Sequence, residues 1–572
     1  MKLLFWSALV QTLILMVQSS RLMDETMQTY RRVLADIKGS DSEIVTVADL
    51  KRLIELHDDD AFCGDWCQKY LTGLFAEYSS TAGHNLQDGM PWPIFNEIAD
   101  KIYGDAISDD PFQPQEIHLS LTGDATEMKV MWITMDALVE PYVEYRAVAE
   151  DSATTEWAKA SARNFTYVVP QNWWPTFTGV IYMSTMTKLA PDVQYTYRVK
   201  GFDTANQTER SSADFQFKAA PVNAPDRTTK IATLADQGTF MLLGVAVQEK
   251  LGQMQDSMGI DIATVVGDLS YAGLSSALPR LNISKEDEFE HMWDLYGIQS
   301  QPVAATRPWM VTNGNHERFY DYAAFRNRYS MPAEKSGGSL DNFWYSYDYG
   351  NVHWVSISSE HDLDDGSVQK EWLRQNLAAA AAPERRAQFP WIVVALHKPL
   401  YCSADGWGTS YADLLESLLI QYNVDLTITG HMHIYERIHP TLQGGVTCYP
   451  QRKRTVTGGK VHYVDTYKNC GTGPVHVVQG NTGGMQAETF TQPAPAWSAV
   501  RFANGFLTPN RTTEATSTLL GTLPETLGRE HWNYTNTFGF GVVTFVNATH
   551  LQYNAVPITG DIGVDDFWIV KH

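Results

Sequence analysis

The chain reads as an α/β (α+β) protein preceded by an all-β domain, and three features of its 572 residues say so. Over residues 112–220, short runs rich in β-branched and aromatic residues recur with turn residues between them: "MKVMWIT", "YVEYRAV", "TGVIYMSTM", "QYTYRVKGF" and "DFQFKAA". That spacing predicts a sandwich of the fibronectin type III or immunoglobulin kind. From about residue 228, β-branched apolar runs alternate with helical periods, which is the α/β pattern. Between the two regions, "APVNAPDRTT" supplies two prolines and several polar residues and reads as a linker.

Taken in order, residues 1–20, "MKLLFWSALVQTLILMVQSS", give one lysine, an apolar stretch of signal-peptide length, and small polar residues suited to cleavage near Ser19 or Ser20. An exported protein is expected. A membrane anchor is the alternative, but the run is short, is broken by Gln11 and lacks a basic flank, so no stable anchor is expected. Residues 21–111 form an N-terminal extension with helix-like patches such as "VADLKRLIEL" and no recognisable chemistry. Its Cys63 and Cys67 lie one helical turn apart, but two sulfurs without nearby histidines do not make a metal site. The α/β region runs over residues 228–495, with residues 496–572 as its C-terminal part. Within it "SYADLLESLLIQY" predicts a helix whose Leu414, Leu415, Leu418, Leu419 and Tyr422 share one face, with Ser410 and Asp413 at capping-box spacing.

Bulk charge narrows the function. The formal net charge is −23, and the longest basic run is "RKR" at 452–454, which excludes the basic stripe that a nucleic-acid groove needs to release counterions. A small phosphate-bearing molecule remains admissible if a concentrated positive charge, such as a metal cluster, overcomes the acidic surface. Asn164, Asn206, Asn282, Asn510, Asn533 and Asn547 begin N-x-[ST] sequons, which agree with secretion. The 5 cysteines are too few for a disulfide-built scaffold; Cys448 with Cys470 is the preferred bridge, and the odd count leaves at least one unpaired or intermolecular.

The chemistry sits at five strand ends. "IATLAD" finishes on Asp236; "IATVVGD" on Asp268, with Tyr271 following; "WMVTNGNH" on Asn315 and His316; "WIVVALH" on His397; and "VDLTITGHMH" on His431 and His433. Ligands of open α/β sheets collect at the carboxyl ends of strands, so these groups are expected in one cleft. Glycines before Asn315 and His431 predict tight turns that aim the side chains inward, and His431 and His433, two apart, are placed as alternate ligands on an extended strand end. Asp236, Asp268, Tyr271, Asn315, His397, His431 and His433 would serve two metal ions bridged by Asp268. Imidazole and oxygen donors without thiolates suit iron, zinc or manganese.

"ADQG", "GDLSY", "GNHE", "VALH" and "GHMH", in this order, resemble the five motifs of the purple acid phosphatases within the calcineurin-like metallophosphoesterases. The resemblance covers roughly residues 112–560 and implies a four-layer β-sandwich flanked by helices. It further implies that Asp236, Asp268, Tyr271 and His433 hold Fe(III), and that Asp268, Asn315, His397 and His431 hold a divalent Zn, Fe or Mn. His316 resembles the substrate-side histidine, able to stabilise phosphoryl oxygens or protonate the leaving alkoxide; a purely orienting role is the other reading. Glu317 and Glu436 are expected to be structural.

In other members of the superfamily the first motif is D-x-H. Here Gly238 stands at the histidine place, and Tyr271 supplies a phenolate that favours Fe(III). Plant members carry histidines about ten residues after the "VxxH" ligand, whereas this chain reads "HKPLYCSADGWGTS"; His361 is read as capping a strand, with a place near the cleft as the alternative. The implied function is a secreted acid phosphatase that hydrolyses small phosphate monoesters with a metal-activated hydroxide. A phosphodiesterase or nucleotide pyrophosphatase built on the same centre is the near alternative, and a non-catalytic glycoprotein binding module the distant one.

Overall fold

The structure, a computed structural model, describes residues 110–148, 156–169, 179–239, 242–273, 287–457, 460–484, 490–503, 538–558 and 565–571, with a few isolated positions elsewhere. The proposed leader, nearly all of the N-terminal extension with Cys63 and Cys67, and sequons Asn282, Asn510 and Asn533 lie outside the described residues.

The first described unit is all-β. Its strands are β1 (Gln115–Ser120), β2 (Met128–Thr134), β3 (Leu138–Ala147), β4 (Ala158–Ser161), β5 (Arg163–Phe165), β6 (Val180–Met186), β7 (Gln194–Asp203), β8 (Glu209–Ser211) and β9 (Phe215–Lys218). They form two antiparallel sheets, β1-β2-β6-β5 and β8-β7-β3-β4, with β9 also pairing β7. The alternation of the runs explains the packing: Val130 and Trp132 are fully buried on one face of β2, and Trp132 stacks on Tyr182 of β6 at 5.3 Å. The buried Tyr182 hydroxyl in turn accepts from the Leu138 amide at 2.7 Å, so its polar tip is satisfied.

The second unit contains β10 (Thr229–Leu234), α1 (Leu242–Met258), β11 (Ile262–Val266), α2 (His291–Ala304), β12 (Trp309–Thr312), α3 (Phe319–Arg328), β13 (Tyr345–Tyr349), β14 (Val352–Ser356), α4 (Val368–Ala380), β15 (Trp391–Ala395), α5 (Ala412–Gln421), β16 (Leu426–Thr429), β17 (Tyr435–Ile438), β18 (Gln451–Thr457), β19 (Lys460–Lys468), β20 (Val475–Gln479), β21 (Ser498–Ala503), β22 (Phe506–Leu507), β23 (Gly539–Phe545), β24 (His550–Pro557) and β25 (Asp565–Val570). Two eight-stranded sheets result, ordered β12-β11-β10-β23-β24-β25-β19-β18 and β13-β14-β15-β16-β20-β17-β21-β22. β10, β11 and β12 run parallel in the first sheet, and β14, β15, β16 and β20 in the second.

β15 shows how the layers separate. Trp391, Val393 and Ala395 join the core that also holds Ile231, Val265 and Val543 of the first sheet, while Ile392 and Val394 join a second core with Leu373 and Leu377 of α4 and Leu415, Leu418 and Leu419 of α5. A strand buried on both faces thus sends alternate residues to the facing sheet and to the helices. Arg437 of β17 crosses between the sheets, at 2.7 Å from Asp465 of β19 and 2.8 Å from Asp565 of β25.

The β unit is docked on the second unit. Arg328 of α3 lies 3.2 Å from Glu116 of β1 and 2.7 Å from Asp294 of α2, all buried, and the Tyr197 hydroxyl donates to the Ala305 carbonyl at 2.7 Å. "APVNAPDRTT" is accordingly no loose tether: Arg227 grips Asp192 with two bonds, of 2.9 and 2.6 Å, and the Ala224 amide donates to the Gly350 carbonyl.

Helix α5 corrects one expectation. It begins at Ala412 with Tyr411 as its N-cap and no side-chain cap, because the Ser410 hydroxyl donates instead to the Trp407 carbonyl of the preceding loop. Cys448 and Cys470 are joined, with Cα atoms 5.7 Å apart, and Cys402 is a free thiol whose pKa burial pushes up. Asn164 and Asn206 are exposed, whereas the Asn547 side-chain oxygen Oδ1 is engaged by the Thr549 and His550 amides. Among the described residues no helix is long and apolar enough to cross a membrane.

Candidate metal centre

The five motif-bearing strands belong to two sheets. β10, β11 and β12 bring Asp236, Asp268, Tyr271, Asn315 and His316 from the first; β15 and β16 bring His397, His431 and His433 from the second. The side chains meet where the carboxyl ends of the two parallel sets abut.

The contacts sort the donors into two groups that share Asp268. On one side the Tyr271 hydroxyl lies 2.7 Å from His433 Nε2, 3.2 Å from Asp236 Oδ1 and 3.4 Å from Asp268 Oδ2. On the other, His397 Nε2 lies 3.0 Å from Asp268 Oδ2 and 3.2 Å from Asn315 Oδ1, and donor atoms of Asp268, His397 and His431 fall within 4.8 Å of one another. Asp236 leans toward both, with Oδ1 at 3.9 Å from His397 Nε2.

Backbone strain produces this convergence. Asp236, Asp268, Tyr271 and His431 have φ of 58°, 51°, 54° and 71°. Each left-handed non-glycine residue costs on the order of 1–3 kcal/mol, and such strain collects at functional sites. The glycines before the ligands serve a different need from the one the motifs suggest. Gly314 has φ of −115°, and a Cβ there would lie 2.2 Å from Asp268 Oδ1; a Cβ on Gly430 would lie 2.4 Å from Asp236 Oδ2. They leave room for the ligands, and the ligands themselves make the turns. Nor do His431 and His433 alternate on an extended strand end: they follow β16 in a tight irregular segment where the Met432 amide bonds the Gly430 carbonyl.

Supporting groups fix the donors. The Glu317 carboxylate accepts the amides of Asp268, Leu269 and Gly314 at 2.9, 2.8 and 2.6 Å, tying the second motif to the third. The His431 amide donates to both Asp236 oxygens, at 3.1 and 2.9 Å, and the His316 amide to Asp268 Oδ1 at 2.9 Å. His397 Nδ1 faces the Val266 carbonyl at 2.9 Å, which aims Nε2 at the centre. Glu436 accepts from the Ser403 amide and the Ser498 hydroxyl, a structural role. His361 closes the loop after β14 against Ser358 Oγ at 2.7 Å and packs 4.1 Å from the Phe343 ring.

The electrostatics call for a cation. Burial works to strip the proton from His397, but the carboxylates of Asp268 and Asp236 outweigh it and push its pKa up to about 10. Burial likewise opposes ionisation of Asp268, and the charges of His397 and His316 overcome it, holding that carboxyl well below its usual range. For Asp236 burial prevails and raises the pKa. Two fully buried carboxylates therefore need positive charge, which protonated imidazole or bound metal ions supply, the latter releasing the proton. The donor set of carboxylates, imidazoles, an amide and a phenol fits a pair of hard or borderline metals. His316 is 3% exposed, and its Nδ1 has no hydrogen-bond partner among the described residues although it lies beside Tyr271, at 4.4 Å between rings; a substrate oxygen would satisfy it.

Among the described residues, two further groups that the motifs did not mark reach the centre. Glu488, in the loop beyond β20, accepts the His433 amide, and Trp407 presents its ring 4.8 Å from His431. Neither has a spacing or periodicity that marks it; both come to the centre by tertiary folding alone.

Residues 114–219 match the family described as purple acid phosphatase, N-terminal domain, and residues 245–435 match calcineurin-like phosphoesterase. Purple acid phosphatase 22 of Arabidopsis thaliana is 32% identical over 57% of this chain and 67% of its own length. The chain belongs to the purple acid phosphatase family. Purple acid phosphatase 18 of the same plant is 28% identical over 68% of this chain and 76% of its own. The purple acid phosphatase PPD1 from yellow lupin (Lupinus luteus) seeds shares the fold, with a TM-score of 0.62 at 23% identity over 81% of this chain and 75% of that one. Relatives at 28% identity also include Arabidopsis thaliana proteins named probable inactive purple acid phosphatases. Purple acid phosphatase membership supports phosphatase activity and implies a dinuclear metal centre.

Proposed function

We propose that this chain is an active acid phosphatase of the secretory pathway or the extracellular space, hydrolysing small phosphate monoesters at an Fe(III)–divalent metal centre. The observation that supports activity is the donor set itself: seven potential ligands from five strand ends form two groups joined through Asp268. Asp236, Asp268, Tyr271 and His433 would hold Fe(III); Asp268, Asn315, His397 and His431 would hold Zn, Fe or Mn. The exposed sequons Asn164 and Asn206 support secretion.

When bound, the two ions supply Lewis-acid charge for the phosphoryl oxygens and a water acidic enough to attack at low pH. The protein's own residues supply geometry and proton transfer. Glu317 fixes the backbone that carries Asp268, and the Val266 carbonyl fixes the face that His397 turns to the site. His316 is tied by its amide to Asp268 Oδ1, so its ring keeps register with the shared carboxylate. Its unpartnered Nδ1 marks a buried imidazole available to hold a proton for the departing alkoxide.

The test is His316→Ala with nitrophenyl phosphate and an alkyl phosphate. Turnover should fall most, by about 10²-fold or more, for the alkyl ester, whose poor leaving group needs the proton, and least for nitrophenyl phosphate, with metal content unchanged. Equal losses on both would assign His316 to phosphate binding. Wild-type protein that hydrolyses only diesters would contradict the monoester reading.

A further inference from the structure

We propose that Trp407, backed by Tyr411, is the wall that receives the substrate's leaving group, and that it selects phosphate monoesters whose leaving group carries a flat ring. This rests on the phosphatase reading of the adjoining centre. Trp407 is ten residues beyond His397, at the end of a small loop closed where the Cys402 amide donates to the Gly408 carbonyl at 3.0 Å. Gly406 and Gly408, at φ of 86° and 71°, flank it, and the left-handed turns they permit project the indole from the loop.

The indole is held in one pose. Its Nε1 donates to the Pro399 carbonyl at 3.1 Å, its amide donates to the Ala404 carbonyl at 3.2 Å, and its plane lies parallel to Tyr411, 5° apart with centroids at 6.0 Å. The Tyr411 hydroxyl donates to the Ser359 carbonyl at 3.2 Å. The N–H and O–H donors of both rings are therefore spent on the protein, while both residues keep exposed surface. An edge of this pair meets the metal centre, with His431 at 4.8 Å and 60° to the indole.

Trp407 and Tyr411 are nonetheless only half-buried, unlike the ligands beside them: Asp236 and His397 are 0% exposed, His433 2% and His431 7%. Of the groups in contact with these donors, the half-buried Trp407 beside His431 offers exposed ring surface to the leaving group of a phosphoryl seated there. The rim next to His431 is this aromatic pair, fixed before substrate arrives, with its indole N–H and phenol O–H already donated to the protein. A saturated or strongly hydrated leaving group gains little there, whereas a planar ring stacks, a contact that tolerates many ring types. An aryl ester and a nucleoside monophosphate share that chemistry.

Phenyl phosphate and cyclohexyl phosphate, alike in size but not in flatness, are the probes, with adenosine 5′-monophosphate against ribose 5-phosphate to distinguish a directly attached ring from a base beyond a sugar. Comparing Trp407→Ala with wild-type holoenzyme on each ester cancels intrinsic reactivity. The variant should lose about tenfold more kcat/KM on phenyl than on cyclohexyl phosphate, chiefly through KM, and Trp407→Phe should recover most of it. Equal loss on both, or loss on neither, overturns the wall. Phenylphosphonate and cyclohexylphosphonate, which are not hydrolysed, are titrated into the same proteins by calorimetry. Wild-type preference for the phenyl compound, abolished in Trp407→Ala, upholds the wall even if no ester is turned over, in which case the phosphatase reading alone falls. Equal wild-type affinities overturn the wall whatever the turnover.

Discussion

Tyr271 brings the one phenol to the seven donors of the centre. Its backbone is strained at φ of 54°, and its hydroxyl touches His433, Asp236 and Asp268 within 3.4 Å, so replacement of the hydroxyl removes one donor from three contacts at once. A phenolate on Fe(III) gives a visible charge-transfer band. Tyr271→Phe should bleach that band and weaken iron retention by about 10-fold or more, read by absorption and iron analysis on the same sample. A variant that keeps colour and iron would reduce Tyr271 to a packing aromatic. The convergence of these seven side chains was legible in the sequence because metal chemistry restricts candidate types and because each follows an apolar run. The groups that hold them were not: the role of Glu317 depends on three amides from two separate motifs, and that of Gly314 on a carboxylate that arrives from another strand.

At the level of the element, β20 shows what alternation does inside a strand covered on both faces. Val475 and Val477 join the core between the sheets and Val478 the core beneath the helices, which leaves His476 on the helix side, fully buried, with Nδ1 at 2.8 Å from Thr427 Oγ1 and Nε2 unpartnered. Burial lowers its pKa from 6.5 to about 3. The unfolded chain then takes up a proton that the folded chain refuses. The stability this residue contributes is intact above pH 6.5 and declines by about 1.4 kcal/mol per unit as pH falls toward the folded value. His476→Leu should flatten the acid limb: between pH 6.5 and 4.5 it should lose about 2 to 3 kcal/mol less than wild type in urea unfolding. Equal slopes would mean that the folded protein protonates the ring. The strands were readable because period and β-branched content agree, whereas the start of α5 was misplaced, since Ser410 has the spacing of a cap but spends its hydroxyl on the Trp407 carbonyl.

For the whole molecule, the order of motifs was legible but their distribution over two sheets was not. An apolar run of the length of β11 or β15 is buried on both faces in either sheet, so periodicity carries no information on which sheet it joins. The stacking itself decides the chemistry, because the first sheet supplies both aspartates, the tyrosine and the asparagine, while the second supplies the three histidines. Arg437 between the sheets and Arg328 between the β unit and the second unit hold this arrangement with buried ion pairs, whose breakage typically costs about 3–5 kcal/mol. The central claim is that the sheets close on one dinuclear centre through Asp268, and metal content per chain tests it most directly. Wild-type protein should retain two ions, one of them iron, after dialysis; Asp268→Asn, which keeps the size of the side chain and removes the shared charge, should retain fewer than two and lose phosphatase activity by more than about a hundredfold. An Asp268→Asn protein that holds both ions and still hydrolyses phosphate esters would contradict the account.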